Sequence, residues 1–457
     1  MKTTKRLTVM LALVMLTTAG LSACSSGNSG GNAGGNSGGN AAKPSNAVQN
    51  DGAATGNQTT VVKEEEPPKE ESLDFGGQPL RIGQWWGMDA YLNDEEKAKQ
   101  KKVEEKYNTK IEYVTVPDTS SRLITSSVAG EPFADIVMLP IRDAFPKMVI
   151  SGYLDPIDDD ADLTLPAFAT NSVTMTNGKF QGKQYGISEP YAETHGLYYD
   201  KTLLQQLGLP DPYELQEKGE WTWANMLDIL NKVKAAGKVP LYFDSESLLA
   251  SVLIYSNEGK IEDEATGKIA IDEANAMEAL QFYSDLFNVH KVMKVADGAS
   301  FGNGDTAFVN GYRWDNLGYV KDKPNDLGYV FFPKGPKASK YVVPYDKMNL
   351  WFVPKGVKNP KAVLAAFSEL FEFDVVKGKD IKLQKEEPNM KNKESLDTMR
   401  KMMDSEFKII NYKAYVGLAD VIEDAFKTIA SGSESPSTAI ARVKPMAQAA
   451  IDVTTKK

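Results

Sequence analysis

The chain offers little of what covalent or redox chemistry requires. One cysteine, Cys24, and two histidines, His195 and His290, are its only thiol and imidazole groups in 457 residues. No histidine pair has metal-binding spacing, no glycine-rich loop is built to cradle a phosphate, and no nucleophile elbow occurs. The acidic run at Asp158, Asp159, Asp160 and Asp162 fails as a calcium loop, because its sixth and twelfth positions are Leu163 and Ala169. It reads as a solvated loop with helix-capping duty. No metal and no cofactor is expected. With 62 Asp and Glu residues, a carboxylate pair roughly 5 to 10 Å apart is the one catalytic arrangement left open. Aromatic rings beside charged groups carry more information. Trp85 and Trp86 precede Asp89 and Tyr91, and Trp314 lies between Arg313 and Asp315. A flat ring next to a carboxylate or guanidinium suits a solute with an apolar C–H face and a rim of hydroxyls, as a sugar has.

The elements around these residues can be read from pattern. Residues 80–86 form an apolar run that suits a buried strand, and Asn93 with Glu96 makes a capping box opening a helix to about Tyr107. Strands follow at 110–116 and 135–139, with a helix at 120–129 between them and another from about Asp143 to Gly152. This β-α-β-α-β order predicts a parallel sheet with right-handed crossovers. Ligands sit outside the carboxyl ends of such strands. Trp85, Trp86, Asp89, Tyr91 and Arg142 therefore fall on one rim. Only one of Trp85 and Trp86 can face outward if the strand continues, and alternation leaves open which. Further on, Asp200 and Thr222 cap helices closed by Gly208 and Gly237. The second helix has Trp223, Met226, Leu227, Leu230 and Val233 on one face. Asp272 opens another, with Met277, Leu280, Tyr283 and Phe287 inward, and Asn359-Pro360 starts one packed through Val363, Phe367, Leu370 and Phe371. Trp223 and Trp351 read as core residues.

The N-terminus has the order of a secretory signal. Lys2, Lys5 and Arg6 precede an uncharged apolar stretch over 7–16, and Leu21-Ser22-Ala23 leads to Cys24. Leu-Ser-Ala-Cys resembles the lipobox of bacterial lipoproteins, which implies cleavage after residue 23 and a lipid thioether on Cys24. The stretch is short of the roughly 20 residues a spanning helix needs. Residues 24–76 then read as a linker, first rich in Gly, Asn and Ser, then in Glu and Pro, with too little apolar surface to fold. Its reach is on the order of 40 Å. The remaining roughly 380 residues exceed what one core supports, so two lobes are expected. A net charge of −10 argues against nucleic acid or an anionic membrane as partner.

Six ordered segments resemble the extracellular solute-binding proteins of ABC importers, in their carbohydrate-binding group (family 1 type). They are Gly130-Glu131-Pro132-Phe133-Ala134-Asp135-Ile136-Val137, Gly152-Tyr153-Leu154-Asp155-Pro156-Ile157, Gln181-Gly182-Lys183-Gln184-Tyr185-Gly186 with Leu197-Tyr198-Tyr199-Asp200-Lys201, Trp221-Thr222-Trp223, Phe301-x-x-Gly304-x-x-Ala307-Phe308 with Trp314, and Lys358-Asn359-Pro360-Lys361-Ala362. Ser188-Glu189-Pro190 departs from the family, where Pro follows sooner. The resemblance implies an α/β, two-lobed periplasmic-binding-protein-like fold with a hinge and an interlobe cleft. Lobe one would hold 78–188 and 332–385, and lobe two 189–331 and 386–457.

It also implies a monomeric, membrane-anchored receptor on the outer face of the cell membrane. Such a receptor captures a small-molecule solute, a sugar or oligosaccharide, and delivers it to ABC permease subunits without turnover. The alternatives are an extracellular lipoprotein enzyme acting on carbohydrate through a carboxylate pair, and a solute-sensing lipoprotein. Candidate ligand contacts are Trp85, Trp86, Asp89, Tyr91, Arg142, Glu189, Tyr191, Glu193, Arg313, Trp314, Asp315 and Asp346. Asp346 lies in a loop over 345–349 that reads equally as cleft-facing or as a salt-bridged hairpin. His195 reads as a plain hydrogen-bonding residue.

Overall fold

A computed structural model describes residues 72–163, 172–188, 193–295, 301–371 and 375–455, all within one compact unit spanning 68–457. The signal and nearly all of the linker, Cys24, Glu189 and Tyr191 lie outside the described residues. Among those described, no helix is long and apolar enough to cross a membrane.

Two five-stranded sheets organise the fold. The first runs in the order Ile111–Thr115, Leu80–Gln84, Ile136–Pro140, Asn349–Phe352, Gly186–Ile187. Its first three strands are parallel, as their β-α-β-α-β order requires, and Asn349–Phe352 enters antiparallel to Ile136–Pro140. The second sheet runs Met293–Val295, Val239–Phe243, Thr306–Tyr312, His195–Asp200, Leu327–Val330. The carboxyl ends of the parallel strands form the rim on which each sheet can present side chains.

Local chemistry explains the helices. Asn93 and Glu96 form the reciprocal capping box that opens Asp94–Tyr107. Asp118, Asp200 and Thr222 each accept a backbone N–H from the first turn of the helix that follows. The helix Trp223–Ala235 buries Trp223, Met226, Ile229, Leu230 and Val233, with Leu227 at the margin. Pro360–Phe371 buries Val363, Phe367 and Leu370 beneath the first sheet, around the fully buried Trp351.

Three features depart from the pattern reading. The helix expected from Asp143 to Gly152 is broken at Phe145, whose backbone is extended and whose side chain enters the core under the first sheet. The acidic run donates no cap at its first residue; the Asp158 carboxylate instead accepts the backbone N–H of Gln184. The segment after Leu327–Val330 stays with the second sheet. Phe332 belongs to that sheet's core, Trp221 donates its indole N–H to the Phe331 carbonyl at 2.7 Å, and Lys334 donates its backbone N–H to Trp221. Val343–Tyr345 pairs with Phe407–Ile409, and the chain rejoins the first sheet only at Asn349. Leu383, on the helix Val375–Glu386, likewise packs with Tyr198, Met399 and Met402 of the second body.

Candidate functional site

A cleft of about 1040 Å³ opens between the rims of the two sheets. From the first sheet come Trp85, just past Leu80–Gln84, Arg142 and Asp143, just past Ile136–Pro140, and the start of the helix Thr119–Val128. The second sheet contributes Arg313 and Trp314 beyond Thr306–Tyr312. Glu193, the loop 345–349 and Lys382 complete the wall.

Seven of the expected residues line this space: Trp85, Trp86, Arg142, Glu193, Arg313, Trp314 and Asp346. Of the two adjacent tryptophans, Trp86 packs against the first core, whereas Trp85 is 36% exposed and meets it edge-on at 5.2 Å. Asp89 and Tyr91 sit on a short 3₁₀ turn; Asp89 is not among the lining residues, and the Tyr91 side chain lies outside what the structure describes. Asp315 is turned away, its carboxylate accepting the Tyr312 backbone N–H at 2.7 Å. The loop 345–349 faces the cleft.

Two clusters stiffen the second rim. In the first, Trp314 lies on Tyr312 at 4.7 Å and 6°, and Tyr312 lies on His195 at 4.2 Å and 9°. His195 and Tyr312 are fully buried, and Trp314 is 36% exposed. The stack thus backs one face of the indole and leaves the other open to the cleft. Its anchors are polar. His195 Nδ1 donates to the Pro344 carbonyl at 2.7 Å, and the Tyr312 hydroxyl donates to Asp346. Burial pushes the His195 imidazole down to about 4, so the ring is neutral at pH 7. Burial, then the Asp346 charge, pushes the Tyr312 hydroxyl far above its usual value and keeps it protonated. Gly196, next in the strand, is required by packing: a Cβ there would stand 2.4 Å from the Val330 carbonyl oxygen.

The second cluster is ionic. Arg313 holds Glu193 in a two-point bridge, Nε to Oε2 at 2.6 Å and Nη2 to Oε1 at 2.9 Å, and donates a third bond to Glu386. Asn316 donates to the other Glu386 oxygen at 2.6 Å, and Lys382 stands 3.2 Å from Glu193. Burial opposes ionisation of Glu193, but Lys382 and Arg313 outweigh it and hold the carboxyl at about 2. Such a network fixes the backbone carrying Trp314. No group of three or more metal-ligating side chains occurs among the described residues.

The sequence reading passed over Tyr312, Lys382 and Glu386, and it took in Lys347 only as part of the loop over 345–349. Tyr312 ends the strand Thr306–Tyr312, and the 3₁₀ turn Arg313–Asp315 that follows folds Trp314 onto it, which no simple periodicity signals. Lys382 and Glu386 are i,i+4 on a helix far along the chain, with no local sign that they meet Arg313.

Comparison with known proteins follows the geometry. The sequence model of bacterial extracellular solute-binding proteins matches residues 99–368. No curated protein matches the chain. Among solved structures, the cyclic α-maltosyl-1,6-maltose binding protein of Arthrobacter globiformis is 18% identical, with a TM-score of 0.66 over 82% of this chain and 99% of that one. UgpB of Mycobacterium tuberculosis, solved with glycerophosphocholine, is 15% identical, with a TM-score of 0.62 over 83% and 99%. The GacH receptor of Streptomyces glaucescens, solved unliganded and with acarbose, is 18% identical, with a TM-score of 0.57 over 82% and 99%. At these identities the likeness establishes the two-lobed fold.

Proposed function

Because the chain belongs to the bacterial extracellular solute-binding proteins, we propose that it is the capture component of an ABC importer. It takes up a sugar or oligosaccharide in the cleft and passes it to permease subunits. In this reading the protein is a monomer that binds without turnover, held to the outer face of the membrane by lipid on Cys24. We assign lobe one to 78–188 and 346–371 and lobe two to 193–345 and 375–455, because Phe332 and Leu383 pack with the second sheet. One crossing then lies in 346–348, and closure is a hinge rotation.

The observation that carries the proposal is the open face of Trp314, backed by two buried rings and aimed into a cleft of about 1040 Å³. A sugar's C–H face stacks on such a plate, and the surrounding charged groups receive its hydroxyls.

Thermal-shift screening of the purified protein against mono- and oligosaccharides tests this. A ligand at a hundredfold excess over its Kd stabilises by about 2.7 kcal/mol. The ligand should be recovered intact afterwards. Hydrolysis abolished by replacing one cleft carboxylate would reassign the protein as an enzyme. Anchoring is tested by Cys24→Ser, which should release the chain from the membrane fraction; full retention contradicts lipidation.

A further inference from the structure

Among the described residues, four acidic and four basic side chains line the cleft, but they are not equally available. Every one of the acids already has a partner inside the protein. Asp118 accepts the backbone N–H and the hydroxyl of Ser121, and Asp143 accepts the hydroxyl of Ser120 at 2.6 Å. Glu193 is held by Arg313 and Lys382, and Asp346 by the Tyr312 hydroxyl. Two of the bases, Arg313 and Lys382, are bound into that ionic network. The other two, Arg142 and Lys347, are exposed and have no carboxylate in ion-pair contact among the described residues. Lys347 lies over the Tyr312 ring at 4.0 Å and 5.8 Å from the Trp314 ring.

The backbone brings the two segments that carry these cations together. Pro140 pairs with Asn349 in the antiparallel ladder, and the Ile141 N–H donates to the Met348 carbonyl at 2.9 Å. The next residues outward on the two segments are Arg142 and Lys347. Among the described residues no carboxylate forms an ion pair with either cation, and both line the same cleft as Trp314.

Resting on the carbohydrate reading above, we infer that the solute is acidic: a uronic-acid oligosaccharide whose carboxylate is received between Arg142 and Lys347 while a sugar ring stacks on Trp314. The guanidinium can take a carboxylate through two parallel N–H bonds, and the ammonium adds a point charge on its other side. A neutral sugar would leave both cations uncompensated in a closing, increasingly dry cleft, where their repulsion grows.

Calorimetric titration of the purified full-length protein tests this with oligogalacturonates, oligoalginates and hyaluronan fragments, each beside its carboxyl-reduced counterpart. At least one acidic member should bind about 10- to 100-fold tighter than its reduced form, the range for hydrogen bonds to a charged group. The gap should narrow in Arg142→Ala and in Lys347→Ala, and on raising salt from about 50 to 500 mM. Both variants should keep the wild-type melting temperature without ligand; if either does not fold, the wild-type comparison of acidic and reduced ligands decides alone. Reduced or neutral malto-oligosaccharides binding as tightly as every acidic ligand would overturn the inference and leave the carbohydrate reading standing. Binding of no saccharide, acidic or neutral, would overturn both.

Discussion

Trp85 and Trp314 face the same cleft from opposite rims with the same fractional exposure, yet they are held differently. Trp85 extends past a strand end, steadied by the edge of Trp86, at 5.2 Å and 68°. Trp314 lies flat on Tyr312, which lies flat on His195, and its backbone is pinned through Arg313 to Glu193 and Glu386. Equal exposure therefore does not mean equal readiness to bind. A plate that is already immobile loses little entropy when a ligand stacks on it, so more of the contact energy appears as affinity. The second rim acts as a fixed platform, and the first rim supplies a more adjustable wall.

The largest effect should come from removing the middle of the stack. Tyr312→Ala empties a fully buried site between His195 and Trp314, and unfolding by denaturant should register a loss of about 3 to 5 kcal/mol. A loss below about 1 kcal/mol would mean that the three rings do not support one another.

Acid should expose the next contribution. His195 has a folded pKa of about 4 against an ordinary value of 6.5. Between these values the unfolded chain binds a proton that the folded chain does not. Stability present above pH 6.5 is thus lost as pH falls toward 4, by about 3 kcal/mol in full. Glu262 acts in the opposite sense. Burial and then Glu264 raise its carboxyl to about 8, so its contribution falls as pH rises from 4.5 to 8. The difference in stability between wild type and His195→Gln isolates the histidine, and it should shrink between pH 6.5 and 4. A difference independent of pH would place His195 in a more polar setting than its burial indicates.

The comparison itself is sharpened by Trp314→Ala and Trp85→Ala, measured by calorimetry with the best saccharide. Trp314→Ala should weaken binding by about 1 to 3 kcal/mol, and Trp85→Ala by under about 1 kcal/mol. Equal losses would show that the backing stack adds nothing.

Much of this was legible in the sequence where the determinants are local. The Asn93–Glu96 capping box, the Asp200 and Thr222 caps and the buried face led by Trp223 all depend on residues within a few positions of one another. Strand ends placed Trp85 and Arg142 on a rim for the same reason. What sequence did not reveal depends on distant encounters. His195 read as an isolated polar residue because its stacking partner is more than a hundred residues away. Asp315 is an exception: it read as a ligand contact although its carboxylate turns back onto a backbone N–H only three residues away. The helix expected through Phe145 is broken for a local reason the pattern reading overlooked: Phe145 precedes Pro146, whose ring disfavours helical backbone in the residue before it.

The most direct test is a crystal structure of the protein with its tightest-binding oligosaccharide. The account predicts a sugar ring against the outward face of Trp314, with Tyr312 and His195 still stacked behind it and Arg142 and Lys347 on a solute carboxylate. A ligand bound elsewhere, leaving the outer face of Trp314 in solvent, would contradict it.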